Sequence, residues 1–378
     1  MTEDAILANA DLVTPDGVRR GYVAISGGRI AEIGEGDRVP AGAVDLEGDY
    51  LAPGLVELHT DNVEKHMVPR PGVFWPAPVA AILSHDAQMA AAGVTTVYDA
   101  IAVGEYSDRS YRRALLKTVL EAIGEAREKK LFRADHRVHL RCEISDDAVI
   151  DLFEPYADDE IIGMISLMDH TPGQRQWRDL KSYKTFRGGG MTDAEFDAFI
   201  AERIANSSKR SVENRRTVLK LWGGRGPIAS HDDTIEEHVA EAVADGIRIS
   251  EFPTTMAAAE AAKAAGMTTV MGAPNVVRGG SHSGNVSAIE LAEAGLLDAL
   301  SSDYAPISLV HGAFALHDRV GLPLEQAVAT VSANPAAMLG LDDRGAIEAG
   351  KRADLIRVRR VGDAAIVRGT WVEGAKAA

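Results

Sequence analysis

The 378-residue chain is 46% hydrophobic and 25% charged, with 36 glycines, 15 prolines and a formal charge of −16. This is globular composition, long enough for one large barrel plus a smaller domain, and its acidity argues against non-specific binding to nucleic acid or membrane surfaces. The only cysteine, Cys142, leaves no intramolecular disulfide and accords with a reducing compartment. The acidic N-terminus carries no basic-then-apolar secretory pattern, and no apolar run approaches the ~20 residues that span a bilayer. A cytoplasmic protein is expected.

In chain order, residues 5–50 read as short strands with turn punctuation: AILANADLVTPDG, then GYVAISGGRIAEIG, then VDLEGDYLAPG. Alternating residues with Pro-Asp-Gly and Gly-Gly breaks predict hairpins. The C-terminal GAIEAGKRADLIRVRR and DAAIVRGTWVEGAKA repeat that style. Residues 1–52 and 343–378 are therefore expected to form one small β domain, with residues 53–342 inserted between them.

The insert alternates strand and helix. Apolar strand candidates are Gly54–His59, Val94–Ala102, Val138–Ile144, Ile161–Met168, Pro227–His231, Ile247–Phe252, Thr268–Gly272 and Leu297–Asp303. Helical stretches are Ser84–Ala92, Arg109–Lys130, Asp193–Val218, Thr234–Asp245, Met256–Ala265 and Ser287–Glu293, followed by Leu324–Ser332 and Asn334–Leu339. Eight strands mostly separated by helices are what a (β/α)8 barrel requires. The polar, Arg-rich stretch 171–218 is an insertion, expected to cover the active site or contact another subunit.

In such a barrel, catalytic groups gather at the carboxyl ends of strands. The first strand ends in His59-Thr60-Asp61, and alternation puts His59 and Asp61 on one side. The third ends near Glu143, the fourth near Asp169 and His170, the fifth at His231-Asp232-Asp233, the sixth at Glu251 and the eighth at Asp303. Imidazoles and carboxylates in this pattern favour a divalent-metal site, one or two ions, with a bound water as nucleophile. Asp303 could hold metal and take the proton of that water, or cap a helix. Glu143 could complete the metal shell or pair with Arg141. Asp232 and Asp233 are expected to orient His231 or cap the following helix.

A second signal concerns anions. GAPNVVRGGSHSGN joins Arg278, Ser281 and His282 to paired glycines that let backbone amides approach a ligand, with a helix beginning near Ser287. Lys65, His66 and Arg70 after the first strand, with Arg175 and Arg178 in the insertion, could add cationic contacts. The pattern is not a phosphate-binding P-loop, which needs GxxxxGK[ST]. A solvated loop is the alternative.

The split terminal β domain, LAPGLVELHTD, the Asp303 strand and GAIEAGKRADLIRV resemble the amidohydrolase superfamily. Within it, HTDNVEKHMVPRPGVFWP, RVHLRCEIS, SLMDHTPGQRQ, ASHDD, EFPTT, MGAPNVVRGGSHSGN and LSSDYAP are similar to one subgroup. Its members are diphosphatases acting on alpha-D-ribose 1-methylphosphonate 5-triphosphate in the carbon–phosphorus lyase route. The resemblance implies a (β/α)8 barrel, a divalent metal such as zinc or manganese, and hydrolysis of the bond between the α and β phosphates. His59, Asp61, His231 and Asp303 carry over as metal ligands; Glu143 and His170 join them from the strand-end reading. The superfamily's first-strand HxH is here His59-Thr60-Asp61, no lysine ends the fourth strand, and Glu251 stands where a histidine is usual. The expected partner is the small phosphorylated substrate, with a homo-oligomer as the expected assembly.

Overall fold

The computed structural model describes residues 4–104, 112–175, 180, 183–184, 190–281 and 284–378. Five strands come first: β1 (Ala5–Thr14), β2 (Gly17–Ser26), β3 (Arg29–Glu35), β4 (Val44–Asp45) and β5 (Tyr50–Pro53). Eight follow at longer intervals: β6 (Leu55–Thr60), β7 (Val94–Val103), β8 (Asp135–Glu143), β9 (Ile162–Met168), β10 (Ile228–His231), β11 (Ile249–Glu251), β12 (Thr268–Gly272) and β13 (Ala299–Ser301). The chain closes with β14 (Leu355–Val361), β15 (Ala364–Val372) and β16 (Ala375–Lys376).

The first and last groups share one sheet, ordered β16-β15-β14-β5-β1-β2-β3 with β4 beside β1. Its hairpins follow from glycine. Gly27 and Gly28 link β2 to β3, both at positive φ (57° and 79°), the backbone a two-residue turn between twisted strands demands. β5 lies antiparallel to β14, with Ala52 opposite Ile356, so the two ends of the chain are zipped by backbone hydrogen bonds. Leu7, Leu12, Val23, Ile25, Leu51, Leu355 and Trp371 fill the core beneath, and along β2 the buried Val23 and Ile25 alternate with half-buried Tyr22 and Ala24. Strands from both termini thus share one sheet, as expected.

The second sheet runs β6 to β13 in sequence order. An isolated parallel bridge joins Thr60 to Asp303, Asp61 N donating to Asp303 O (3.1 Å) and Asp303 N to His59 O (3.2 Å). First and last strands thereby close the sheet into the expected barrel. Its strands read as continuous apolar runs because both faces are covered; every residue of β6 and β7 is buried. At the entry to β6 only glycine fits, since a Cβ on Gly54 would stand 2.3 Å from Thr95 Oγ1.

All eight expected helical stretches contain a helix, the longest being Asp193–Trp222 with a Thr192/Glu195 capping box. Among the described residues, four shorter α-helices lacked a legible signal: Asn62–Met67, Val149–Phe153, Ala273–Arg278 and Ser308–Ala315. The chain divides into two compact units: Met1–Asp99, Val119–Arg137 and Met271–Ala378 form one, Ala100–Thr118 and Val138–Val270 the other. The first contains the small sheet, β6 and β13, and the second contains β9, β10 and β11.

Candidate active site

In the second unit, strand register brings distant acids and imidazoles together. His231 and Glu251 are paired residues at the tips of β10 and β11, and His231 Nδ1 lies 2.8 Å from Glu251 Oε2. Glu143 ends β8; its Oε2 lies 2.5 Å from His170 Nδ1, and its Oε1 accepts the His170 amide at 3.1 Å. Each imidazole therefore donates from Nδ1 to a carboxylate, which leaves the lone pair on Nε2. Those Nε2 atoms lie 3.9 Å (His170) and 3.5 Å (His231) from Asp232 Oδ2. The three ligand atoms fall within 4.8 Å of one another, in buried side chains.

Asp232 reaches this position because its φ is 57°, left-handed for a residue with a side chain and costly unless its surroundings hold it. The Glu251 carbonyl accepts its amide at 2.9 Å. Burial pushes its carboxyl up to about 6, against the pull of His170, Arg175 and Arg141. Two imidazole lone pairs and a carboxylate facing one point are a donor set for a divalent cation. Asp233 has other work: it accepts from Ser230 Oγ, from Ser250 Oγ at 3.1 Å and from Arg175 Nη1 at 2.8 Å. The helix after it, Glu236–Ala244, has no side-chain cap, so neither acid caps it.

In the first unit, β6 and β13 present a second row. Glu57 is fully buried and clamps both strand tips, its Oε1 accepting the His59 amide and its Oε2 the Ser302 amide, each at 2.7 Å. Burial pushes that carboxyl up to about 8, against the hydrogen bonds from Ser302 and the His59 amide. His59 is buried beside it, Thr60 Oγ1 donates to the Asp303 carbonyl at 2.9 Å, and Asp303 sits at a φ of 52°. The backbone bridge thus gathers His59, Asp61 and Asp303 at one rim. Asp61 Oδ1 is buried without a hydrogen-bond partner among the described residues, a carboxylate oxygen whose burial a cation would offset. Asp303 caps no helix, because the next one, Ser308–Ala315, has Ile307 at its N-cap.

The expected anion contacts are more dispersed. Lys65 Nζ donates to the Tyr304 carbonyl and stands 5.2 Å above its ring. Arg70 is exposed in a short bridge with Val73. Arg278 is exposed in the last turn of the helix Ala273–Arg278, which Gly279 ends at a φ of 79°. Ser281 follows, half-buried, while Arg178 and His282 lie outside the described residues. At the helix after them, Ser287 and Glu290 form a capping box and the Ala288 amide donates to Asn275 Oδ1 at 3.0 Å. That terminus therefore spends these amides within the chain.

Asp232, Glu251 and Glu57 are the site residues that sequence reasoning left off its ligand set. An acid directly after a strand-end histidine was the available signal for Asp232. The isolated acid inside the apolar run LAPGLVELH was the one for Glu57.

A family model described as the amidohydrolase family matches residues 192–376. The chain is 45% identical over 376 residues to the alpha-D-ribose 1-methylphosphonate 5-triphosphate diphosphatase of Escherichia coli (strain K12), covering 98% of this chain and 99% of that protein. It is 26% identical to an allantoinase of Streptomyces avermitilis, covering 93% of this chain and 85% of that one. Among solved structures, N-acetylglucosamine-6-phosphate deacetylase from Pasteurella multocida superposes with a TM-score of 0.63 at 14% identity over 99% of both chains, a likeness of fold alone. With the barrel, the terminal β sheet and 45% identity along nearly its whole length to a diphosphatase, the chain belongs to the amidohydrolase family of hydrolytic enzymes.

Proposed function

We propose that this enzyme hydrolyses the α–β phosphoanhydride of alpha-D-ribose 1-methylphosphonate 5-triphosphate, giving ribose 1-methylphosphonate 5-phosphate and pyrophosphate in phosphonate breakdown. The observation that carries this reading is the 45% identity along 98% of the chain with a relative named for that activity. The donor sets support it. His170, His231 and Asp232 in one unit, and His59, Asp61 and Asp303 in the other, are each proposed as a ligand set for a divalent ion, zinc or manganese. Glu143 is assigned to holding His170, since its oxygens already accept from that ring, that amide and Ser145. Glu251 does the same for His231.

A divalent ion supplies acidity to a water and offsets charge growing on phosphoryl oxygens. The chain does the rest. The water oxygen bonds to one phosphorus as the bridging P–O bond breaks, the bridging oxygen departs with the other phosphoryl group, and the Asp303 carboxylate accepts the proton given up by the water. Glu143 and Glu251 keep both imidazoles with Nε2 turned away from their own carboxylates. Lys65, Arg70, Arg278, Ser281 and His282 are assigned to the phosphate and phosphonate oxygens. We place the enzyme in the cytoplasm as a homo-oligomer, in line with its single cysteine and acidic composition.

The second reading is a cyclic-amide hydrolase, which the allantoinase relative favours. Supplying a ribose 5-triphosphate, allantoin, a hydantoin and dihydroorotate in parallel separates the two. Pyrophosphate release from the first with no turnover of the others is expected; ring opening without pyrophosphate release overturns the proposal.

A further inference from the structure

Within the second unit, a cavity of about 450 Å³ is lined by residues next to His170 in sequence, Asp169 and Thr171. Asp169 and Arg175 line it, and Arg175 Nη1 donates to the His231 carbonyl at 2.9 Å. Its far side is the long helix Asp193–Trp222, through Ser211 and Arg215, and the helix Glu236–Ala244, through His238 and Glu241.

Both guanidiniums are buried and pinned from behind. Asp233 Oδ1 accepts from Arg175 Nη1 at 2.8 Å, and Asp245 accepts from Arg215 Nε. In front, one carboxylate oxygen serves both: Glu241 Oε2 lies 2.5 Å from Arg215 Nη1 and 3.7 Å from Arg175 Nη2. An oxyanion shared by two arginine forks is how a phosphate group is held. Unlike Asp233, the Glu241 side chain is 48% exposed, so water is open to it when an anion takes its place. Two further groups line the same space. Ser211 is buried, at 7% exposure, and its Oγ has no hydrogen-bond partner among the described residues. His238 Nδ1 accepts the Thr234 amide at 3.2 Å, so a neutral ring carries its proton on Nε2 as a donor.

We infer that this cavity is the subsite for the pyrophosphate end of the substrate, its oxygens bound by Arg175, Arg215 and Ser211, with the Glu241 carboxylate holding the anion position until substrate displaces it. Charge explains why a gate is needed. With Glu241 in place, four carboxylates (Asp169, Asp233, Asp245 and Glu241) stand around two guanidiniums, and a diphosphate is repelled. With Glu241 turned out, one negative charge fewer opposes the diphosphate, and the front of each fork is open. The inference rests on the proposed reaction for the identity of its ligand, but binding of inorganic pyrophosphate is read without turnover.

The test is calorimetric titration of the metal-loaded full chain with inorganic pyrophosphate and, separately, methylphosphonate. Glu241→Gln removes the competing charge and is expected to tighten pyrophosphate by about tenfold, the scale of one charge-assisted hydrogen bond. Ser211→Ala and Arg215→Lys are expected to weaken it several-fold, with folding of Arg215→Lys confirmed by its circular dichroism. Methylphosphonate is expected to respond to none of these changes. Unchanged or weaker pyrophosphate binding in Glu241→Gln overturns the inference, as does a response confined to methylphosphonate. If the titrations behave as stated but no triphosphate is hydrolysed, the reaction fails and the subsite stands. Triphosphate hydrolysis with an affinity insensitive to Glu241 and Ser211 leaves the reaction standing and removes the subsite.

Discussion

Glu143 and His170 are joined twice, Oε2 to the ring Nδ1 at 2.5 Å and Oε1 to the backbone amide at 3.1 Å, although 27 positions separate them. The double contact sets where the ring sits and which nitrogen keeps its proton. Glu143→Gln retains the size but offers one acceptor where two are used. Metal affinity is expected to fall on the order of 10–100-fold, the usual effect of losing such a supporting carboxylate. Glu251→Gln should act alike through His231. Metal titration reads both, and wild-type affinity in both variants removes these acids from the site.

Asp303→Asn is expected to abolish turnover while leaving the fold intact. Its φ of 52° is a conformation asparagine tolerates well, and the backbone bonds that Asp303 makes with His59, Thr60 and Asp61 do not depend on its carboxyl group. The substitution therefore keeps the backbone bridge and replaces the proton-accepting carboxylate with an amide. Near-normal pyrophosphate release with an unchanged circular-dichroism spectrum would exclude Asp303 from the chemistry.

Chelation should silence the enzyme, and zinc or manganese should restore it. The same treatment is expected to lower thermal stability, since a ligand present at a thousand times its dissociation constant contributes about 4 kcal/mol to the folded state. Full activity in a preparation shown to be metal-free contradicts the donor-set assignment.

His136 supplies a pH test away from the proposed chemistry. Its Nδ1 lies 2.8 Å from Asp99 Oδ2 and its Nε2 3.4 Å from Asp86 Oδ1, all three side chains buried. Burial opposes the charged ring, but Asp99 and Asp86 outweigh it and push its pKa up to about 9. A histidine raised above its unfolded value near 6.5 contributes stability that is full below pH 6.5 and lost as pH climbs through 9. Unfolding free energy is expected to drop by roughly 3 kcal/mol across that window, and His136→Gln should flatten the slope. An equal slope in the variant would show that other groups titrate there.

The barrel was legible because its strands, covered on both faces, stay apolar for their whole length and break into polar clusters where they end. Short helices such as Asn62–Met67 and Ala273–Arg278 were not. Six residues carry too few turns to show a period, and glycines beside the second suggested a loop. Asp232 and Asp233 are adjacent in sequence and gave no hint of their different tasks. A left-handed φ at Asp232 turns one toward two imidazoles, while its neighbour takes two serines and an arginine.

What the order of residues determined by itself was the alternation of strands and helices, the pairing of both termini in one sheet, and the strand tips at which imidazoles and acids would stand. Only the tertiary structure decided which acid holds which ring, that Glu57 ties β6 to β13, and that Glu241 bridges two arginines. These partners lie from 20 to 245 positions apart, and a hydrogen bond a few ångströms long depends on strand register and helix placement, which no local pattern encodes.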